Sequence, residues 1–435
     1  MISTPGLIRW CALSKSSPGQ LRKRHRSSRM RDLLASAGLL DKALKWSGSR
    51  WSWTSMATND IHLGAPPEPG SLHDPFLHDP ERSLAILQRV LGTPYPIAQT
   101  PREVIWTLNK TRLYHYIPVV PPLRRHPVPL VLVFALMNRP SILDLRPGNS
   151  FVEYMLQKRY DVYLLDWGAP GLEDQRLSFD DYVLDYLPRA LRKLKSFTAA
   201  TEFSLLGWCM GALVTTMYAA LRPHDGLRNL ILLTAPLDFS DKHCGGFMEW
   251  ANNQHLDVEK LLATFGNVPG ELLDYGAKAL KPYDNYVGNY VRLWKNLGDP
   301  KAVESWHAMN TWVNDLIPLA GGVYRQLIED FYRRNRLILG TMRLRGEQVQ
   351  LARIQASVLN VLANQDHIVP PQQTEYSMDA FGSRDKQLLR IPGGHIGMMA
   401  GSAAIQRTWP QIESWLRPRS RARRPGKERP IFNGS

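Results

Sequence analysis

Three side chains of this sequence have the types and the order needed to move an acyl group. Cys209 stands at the centre of Gly207-Trp208-Cys209-Met210-Gly211, between an apolar run, Phe203-Ser204-Leu205-Leu206, and a helix-like run, Ala212 to Leu221. Glycines two residues to either side of a nucleophile, between a strand and a helix, permit a turn too tight for a Cβ and lift the central side chain above the sheet. A thiol in that place needs a base to take its proton and a third group to orient the base. The run from Val358 to Ala363 leads through Asn364 and Gln365 to Asp366, and Ile391-Pro392-Gly393-Gly394 leads to His395. Nucleophile, acid, histidine is the chain order such a turn requires, and both partners fall at strand ends, where open α/β sheets gather their ligands. The backbone N–H of Met210 is expected to donate to an oxyanion, and a second donor is expected from the loop around Met137 and Asn138.

Each residue also has a plainer reading. Cysteines are often simply buried, Asp366 could shape a turn, and His395 could be a structural hydrogen-bonder. Three coincidences in the required order favour the chemical reading. His367, beside Asp366, is expected to point away from the site, and the pair His243-Cys244 is expected to pack at the edge of an insertion.

The elements that must hold these residues alternate. Pro129–Leu136, Tyr160–Trp167, Phe203–Gly207 and Leu227–Thr234 read as strands, with helices over 150–158 and 180–195 and after the elbow. Near-continuous Val/Leu/Ile runs between helical patterns indicate a parallel sheet covered on both faces. The alternation stops at about 240 and resumes after about 346 with strands Val358–Ala363 and Gln387–Ile391 and a helix, Ile405–Leu416. The fold class is therefore α/β: an α/β-hydrolase fold with a mostly parallel central sheet and an inserted helical cap, in one catalytic domain over 66–416. Insertions in that position cover active sites. A proline-rich lead-in with one helix, Pro80–Leu91, precedes the core.

The formal charge of +15 resides at the two ends. Residues 1–58 carry eleven Lys/Arg against two Asp/Glu, and residues 417–435 seven against one, which leaves a neutral body. A nucleic-acid-binding role is disfavoured, since no recognition motif accompanies that charge. Residues 1–65 read as a basic, disordered arm with a short amphipathic stretch, Leu33–Trp46, and residues 417–435 as a basic disordered tail. Met30 or Met56 could be the true start. Three scattered cysteines, Cys11, Cys209 and Cys244, imply neither a disulfide framework nor a zinc site, and no metal is expected. The longest apolar run, Pro127 to Met137, is too short for a membrane span.

LVFALMNRPSILDL, YDVYLLDWGAP, LLGWCMGA, LTAPLDF, GNVPGELL, LANQDHIVPP and IPGGHIG occur in this order between about Thr100 and Leu416. With these motifs the chain resembles the catalytic subunit of a polyhydroxyalkanoate (PHA) synthase, most similar to the two-subunit class III enzymes, with class IV close. The resemblance implies Cys209 as the carrier of the growing chain, His395 as general base, and Asp366 as a third catalytic residue that helps activate the substrate hydroxyl. It implies (R)-3-hydroxyacyl-CoA of the 3-hydroxybutyryl type as substrate, CoA as leaving group and no bound cofactor. It also implies a second synthase subunit, a homodimer or hetero-oligomer, and a cytoplasmic location at the granule surface. Ala212 departs from the family pattern, which has a second glycine there. Two other readings stay open: a cysteine hydrolase or thioesterase of the same fold, and a non-catalytic granule-associated protein.

Overall fold

The computed structural model describes residues 79–421. The basic arm, its Leu33–Trp46 stretch, the alternative starts and the tail beyond Arg421 lie outside the described residues. The main sheet has eight strands, here β1 (Arg102–Leu108), β2 (Thr111–Tyr116), β3 (Leu130–Val133), β4 (Val162–Asp166), β5 (Phe203–Trp208), β6 (Leu227–Leu233), β7 (Ser357–Ala363) and β8 (Lys386–Ile391). Their order across the sheet is β1-β2-β4-β3-β5-β6-β7-β8. From β4 to β8 neighbours run parallel, and only β1–β2 and β2–β4 are antiparallel.

The centre of the sheet is apolar on both faces because helices cover both. Every residue of β3 and of β5 is buried. The elbow helix, Met210–Leu221, is buried along all twelve residues, so it carries no polar stripe. By contrast, Leu187–Thr198 buries Leu187, Ala190, Leu191 and Leu194 and turns its lysines and arginines outward, the pattern of a helix lying on a surface.

All six predicted strands are present within two residues of their expected ends, except that β3 closes three residues earlier, at Val133. The chain then leaves the sheet at Phe134 and passes over the elbow. The β1–β2 hairpin was missed, because the core was expected to begin at Pro129. Its turn is Asn109-Lys110, with Asn109 at φ +52°, a left-handed conformation that asparagine tolerates.

The hairpin is fastened to the sheet by a buried histidine. His115 of β2 places Nδ1 at 3.1 Å from Glu103 of β1 and Nε2 at 3.0 Å from Asp161, just before β4. Its ring stacks on Tyr163 with centroids 4.6 Å apart. The segment between β6 and β7 is helical, with Val258–Phe265, Gly270–Ala279, Asn289–Lys295 and Pro300–Asn314 as its longest helices. At the other end, Arg417–Ser420 form a 3-10 turn, and Arg419 makes a two-pronged ion pair with Asp385 at 2.8 and 2.7 Å.

The His115 cluster gives the edge of the sheet a pH signature. Burial disfavours the imidazolium, but the hydrogen bonds and charges of Asp161 and Glu103 outweigh it and hold the pKa above its ordinary value. A raised histidine pKa adds stability that is complete below about pH 6.5 and fades as pH climbs through the folded value. The urea midpoint of the wild type is therefore expected to fall more steeply above pH 6.5 than that of His115→Gln. Parallel pH profiles for the two proteins would refute the clamp.

Candidate active site

Cys209 lies between the end of β5 and the elbow helix with φ +56° and ψ −119°, a backbone conformation that a non-glycine residue holds only when its surroundings impose it. Two close approaches impose it here. A Cβ on Gly211 would come 2.2 Å from the carbonyl oxygen of Val133, and one on Gly207 would come 2.3 Å from Thr215 Oγ1 and 2.7 Å from the Cα of Ala212. The Cys209 N–H bonds the carbonyl of Leu233 at 3.0 Å, and its carbonyl accepts from Ala212 at 2.9 Å. The turn is thus clamped by β3 on one side, by β6 on the other, and by its own helix beneath. Ala212 is itself fully buried and forms part of that clamp.

Asp366 follows β7 and His395 follows β8, and the structure brings both to Cys209. His395 Nδ1 lies 2.7 Å from Asp366 Oδ2, and Cys209 acts on the ring electrostatically. Asp366 Oδ1 accepts the N–H groups of Ile368 and Val369 at 2.8 and 2.9 Å, so the carboxylate is fixed from behind. Its side chain has no exposed surface. Burial disfavours a charged imidazole, yet the charges of Asp366 and Cys209 and the hydrogen bond to Asp366 push the pKa of His395 well above the ordinary range. The protonated form of the ring is therefore favoured beside Cys209. Cys209 is 8% exposed, reachable but shielded.

Met210 is the first residue of the elbow helix, so its N–H has no carbonyl one turn back to bond. Met137 lies in the loop after β3 and is half-buried. The backbone oxygens that crowd Gly211 belong to Val133 and Phe134, nearer the strand end than Met137. The loop is braced by Trp167 Nε1 on the Phe134 carbonyl at 3.0 Å and by Trp312 Nε1 on the Arg139 carbonyl at 2.8 Å.

Two further side chains, Trp208 and Tyr332, frame the site. Trp208, fully buried, sets its ring 6.2 Å from that of His395 and 5.1 Å from that of Phe134. Tyr332 comes from the inserted segment; burial pushes its phenol up, and the charges of Cys209, Cys244 and Asp366 all act in the same direction. His367 follows Asp366 directly and is half-buried. Burial lowers its pKa first and Lys281 next, with Asp366, His395 and Asp284 also within reach. No motif or spacing announces Tyr332, since its place depends on how the insertion folds back. Cys244 is half-buried and unpaired with any other cysteine among the described residues, and its thiol is pushed up chiefly by burial.

The strand order and the strained turn define an enzyme of the α/β-hydrolase class, and the α/beta hydrolase fold family model matches residues 142–402. Among protein relatives, the poly(3-hydroxyalkanoate) polymerase subunit of Haloferax mediterranei is 38% identical over 325 residues, which are 74% of this chain and 65% of that one. The corresponding subunit of Allochromatium vinosum is 36% identical over 74% of this chain and 89% of its own. That of a Synechocystis strain is 33% identical over 74% and 85%. The chain belongs to this poly(3-hydroxyalkanoate) polymerase family. A solved variant of a Saccharomyces cerevisiae monoglyceride lipase superimposes with a TM-score of 0.49 at 15% identity, covering 76% of this chain and 99% of that one.

His395 is placed to take the proton of the Cys209 thiol. His395→Gln is expected to slow carboxamidomethylation of Cys209 by iodoacetamide roughly tenfold or more, read on the Cys209 peptide by mass spectrometry. An unchanged rate would remove His395 from the activation of the thiol.

Proposed function

We propose that this chain polymerises (R)-3-hydroxyacyl-CoA, of the 3-hydroxybutyryl type, into polyester through an acyl group carried on Cys209. The observation that supports this most directly is the buried grouping of Cys209, His395 and Asp366, with His395 hydrogen-bonded to Asp366, in a chain whose relatives are polyester polymerases.

In the first half-reaction the Cys209 thiolate attacks the acyl carbon of the CoA thioester. The carbon–sulfur bond to CoA breaks, and the leaving thiolate takes its proton from the His395 imidazolium. One thioester replaces another, so the acyl group stays activated. In the second, the 3-hydroxyl oxygen of an incoming hydroxyacyl-CoA attacks the Cys209 thioester. Neutral His395 accepts the hydroxyl proton, an oxoester forms, and the sulfur leaves as thiolate. A further exchange returns the lengthened chain to Cys209 and releases CoA. The N–H of Met210 would stabilise the tetrahedral oxyanion, with a second donor from the loop that carries Met137.

Asp366 is best placed to act through His395. One of its oxygens bonds the ring and the other accepts two backbone N–H groups, so it orients the imidazole and balances its charge while the ring receives the hydroxyl proton. Water would destroy the acyl intermediate. The inserted segment over 240–346 supplies the cover, and the burial of Tyr332 and the low exposure of Cys209 are consistent with that. The enzyme needs no cofactor in this scheme. It acts with a second synthase subunit, at the surface of cytoplasmic polyester granules.

Incubation with 3-hydroxybutyryl-CoA is expected to release CoA and yield polymer, and Cys209→Ala should lose at least about a thousandfold in rate. CoA release by Cys209→Ala at the wild-type rate contradicts the covalent route. Free 3-hydroxybutyrate without polymer identifies a thioesterase instead.

A further inference from the structure

The inserted segment carries an apolar face that the chemistry above does not use. Residues 282–295 form one continuous helical run, with a wide π turn over Asp284–Gly288 followed by Asn289–Lys295. One side is anchored: Leu293 and the following Leu297 pack with Val90 and Val303 in a small buried cluster, and Asn289 accepts a hydrogen bond from Trp306 Nε1 at 3.0 Å. The adjacent side is different. Tyr283 is 68% exposed, and Tyr286, Val287 and Tyr290 are each close to half exposed.

Tyrosines and valines are the residues a lone surface helix should not show. Here they recur at 283, 287 and 290, with Tyr286 beside them, one position on from the half-buried 282 and 289 and the buried Leu293. That offset turns the stripe roughly 100° around the helix. Spacings of four and three residues make the seam by which one helix receives another. An unshaped apolar surface would need no such register, and an aromatic-rich stripe of this length marks an interaction site. The flanks state the sign of the partner: Lys281, Arg292 and Lys295 are exposed beside it, and Asp284 is the single carboxylate between 281 and 295. The place is also close to the chemistry, since Lys281 and Asp284, at the start of the same run, act on His367 beside Asp366.

We propose that this face, centred on Tyr283, Tyr286, Val287 and Tyr290, docks an amphipathic α-helix with acidic flanks contributed by a second polypeptide. The partner's apolar seam covers the tyrosines, and its carboxylates meet Lys281, Arg292 and Lys295. Binding of such a helix is independent of whether Cys209 carries an acyl group, so this surface and the proposed reaction can fail separately.

The test uses the full-length chain and two synthetic four-heptad peptides with leucine at the a and d positions. One carries glutamate at e and g and the other lysine, so that neither pairs readily with itself. The glutamate peptide is expected to bind at least tenfold more tightly in fluorescence anisotropy. Tyr283→Glu/Tyr286→Glu should weaken it tenfold or more without shifting the thermal midpoint of the full chain. Lys281→Glu/Lys295→Glu, which leaves the apolar seam intact, should reverse the preference between the peptides. Equal binding of the two peptides, or binding untouched by both double substitutions, overturns the proposal. So does sedimentation showing that the wild type alone self-associates through this face and that Tyr283→Glu/Tyr286→Glu makes it monomeric, because the occupant would then be a second copy. Partition of the chain onto polyester particles that is lost with Tyr283→Glu/Tyr286→Glu, with no peptide binding, also overturns it.

Discussion

The site depends on a backbone conformation that the rest of the fold must force. Cys209 at φ +56° and ψ −119° is costly for a residue with a side chain, on the order of 1–3 kcal/mol. It is stable because Gly211 lets the helix approach within contact of the Val133 carbonyl and Gly207 lets the strand end meet the same helix. The parallel strands β3, β5 and β6 therefore do more than fill a core. They hold the turn from both sides, and the wholly buried elbow helix closes it from below. Loosen any one of these contacts and the sulfur no longer points at the imidazole.

Electrostatics then turns a fixed geometry into a reactive one. A fully buried imidazole would ordinarily give up its proton. For His395 the protonated form is favoured instead, because a wholly buried carboxylate and Cys209 act on the ring together. Asp366 in turn stays in place because two backbone N–H groups hold its second oxygen. The inserted segment acts on the same groups through Tyr332 and, at His367, through Lys281 and Asp284. The chemistry of the strand ends and the cover above them are thus linked by charge as well as by packing.

Much of this was legible in the residues. Glycines around Cys209, and two strand ends closing on Asp366 and His395, are local signals with a mechanical cause, and the six apolar strands declare themselves by composition. The β1–β2 hairpin is less legible, although Asn109 between two β-branched and aromatic runs marks its turn. Its strands are partly polar at the sheet edge, so the buried-run criterion passed over them. The clamp of His115 joins residues 12 and 46 positions away, and no local pattern reveals such a pairing. Tyr332 stays hidden for the same reason, since its place is set by the path of a hundred inserted residues. Ala212, where the resemblance implies a second glycine, is fully buried, and a Cβ on Gly207 would come 2.7 Å from its Cα.

The central claim is that the acyl group rests on one particular sulfur. Butyryl-CoA has no 3-hydroxyl to continue the reaction, so exchange onto the enzyme should stop at the thioester. Peptide mass spectrometry after brief incubation and acid quench is expected to find one butyryl group on the peptide containing Cys209, and none on it in His395→Gln over the same interval. Butyryl on the Cys244 peptide instead, or no acyl-enzyme at all while 3-hydroxybutyryl-CoA is turned over, would contradict the account.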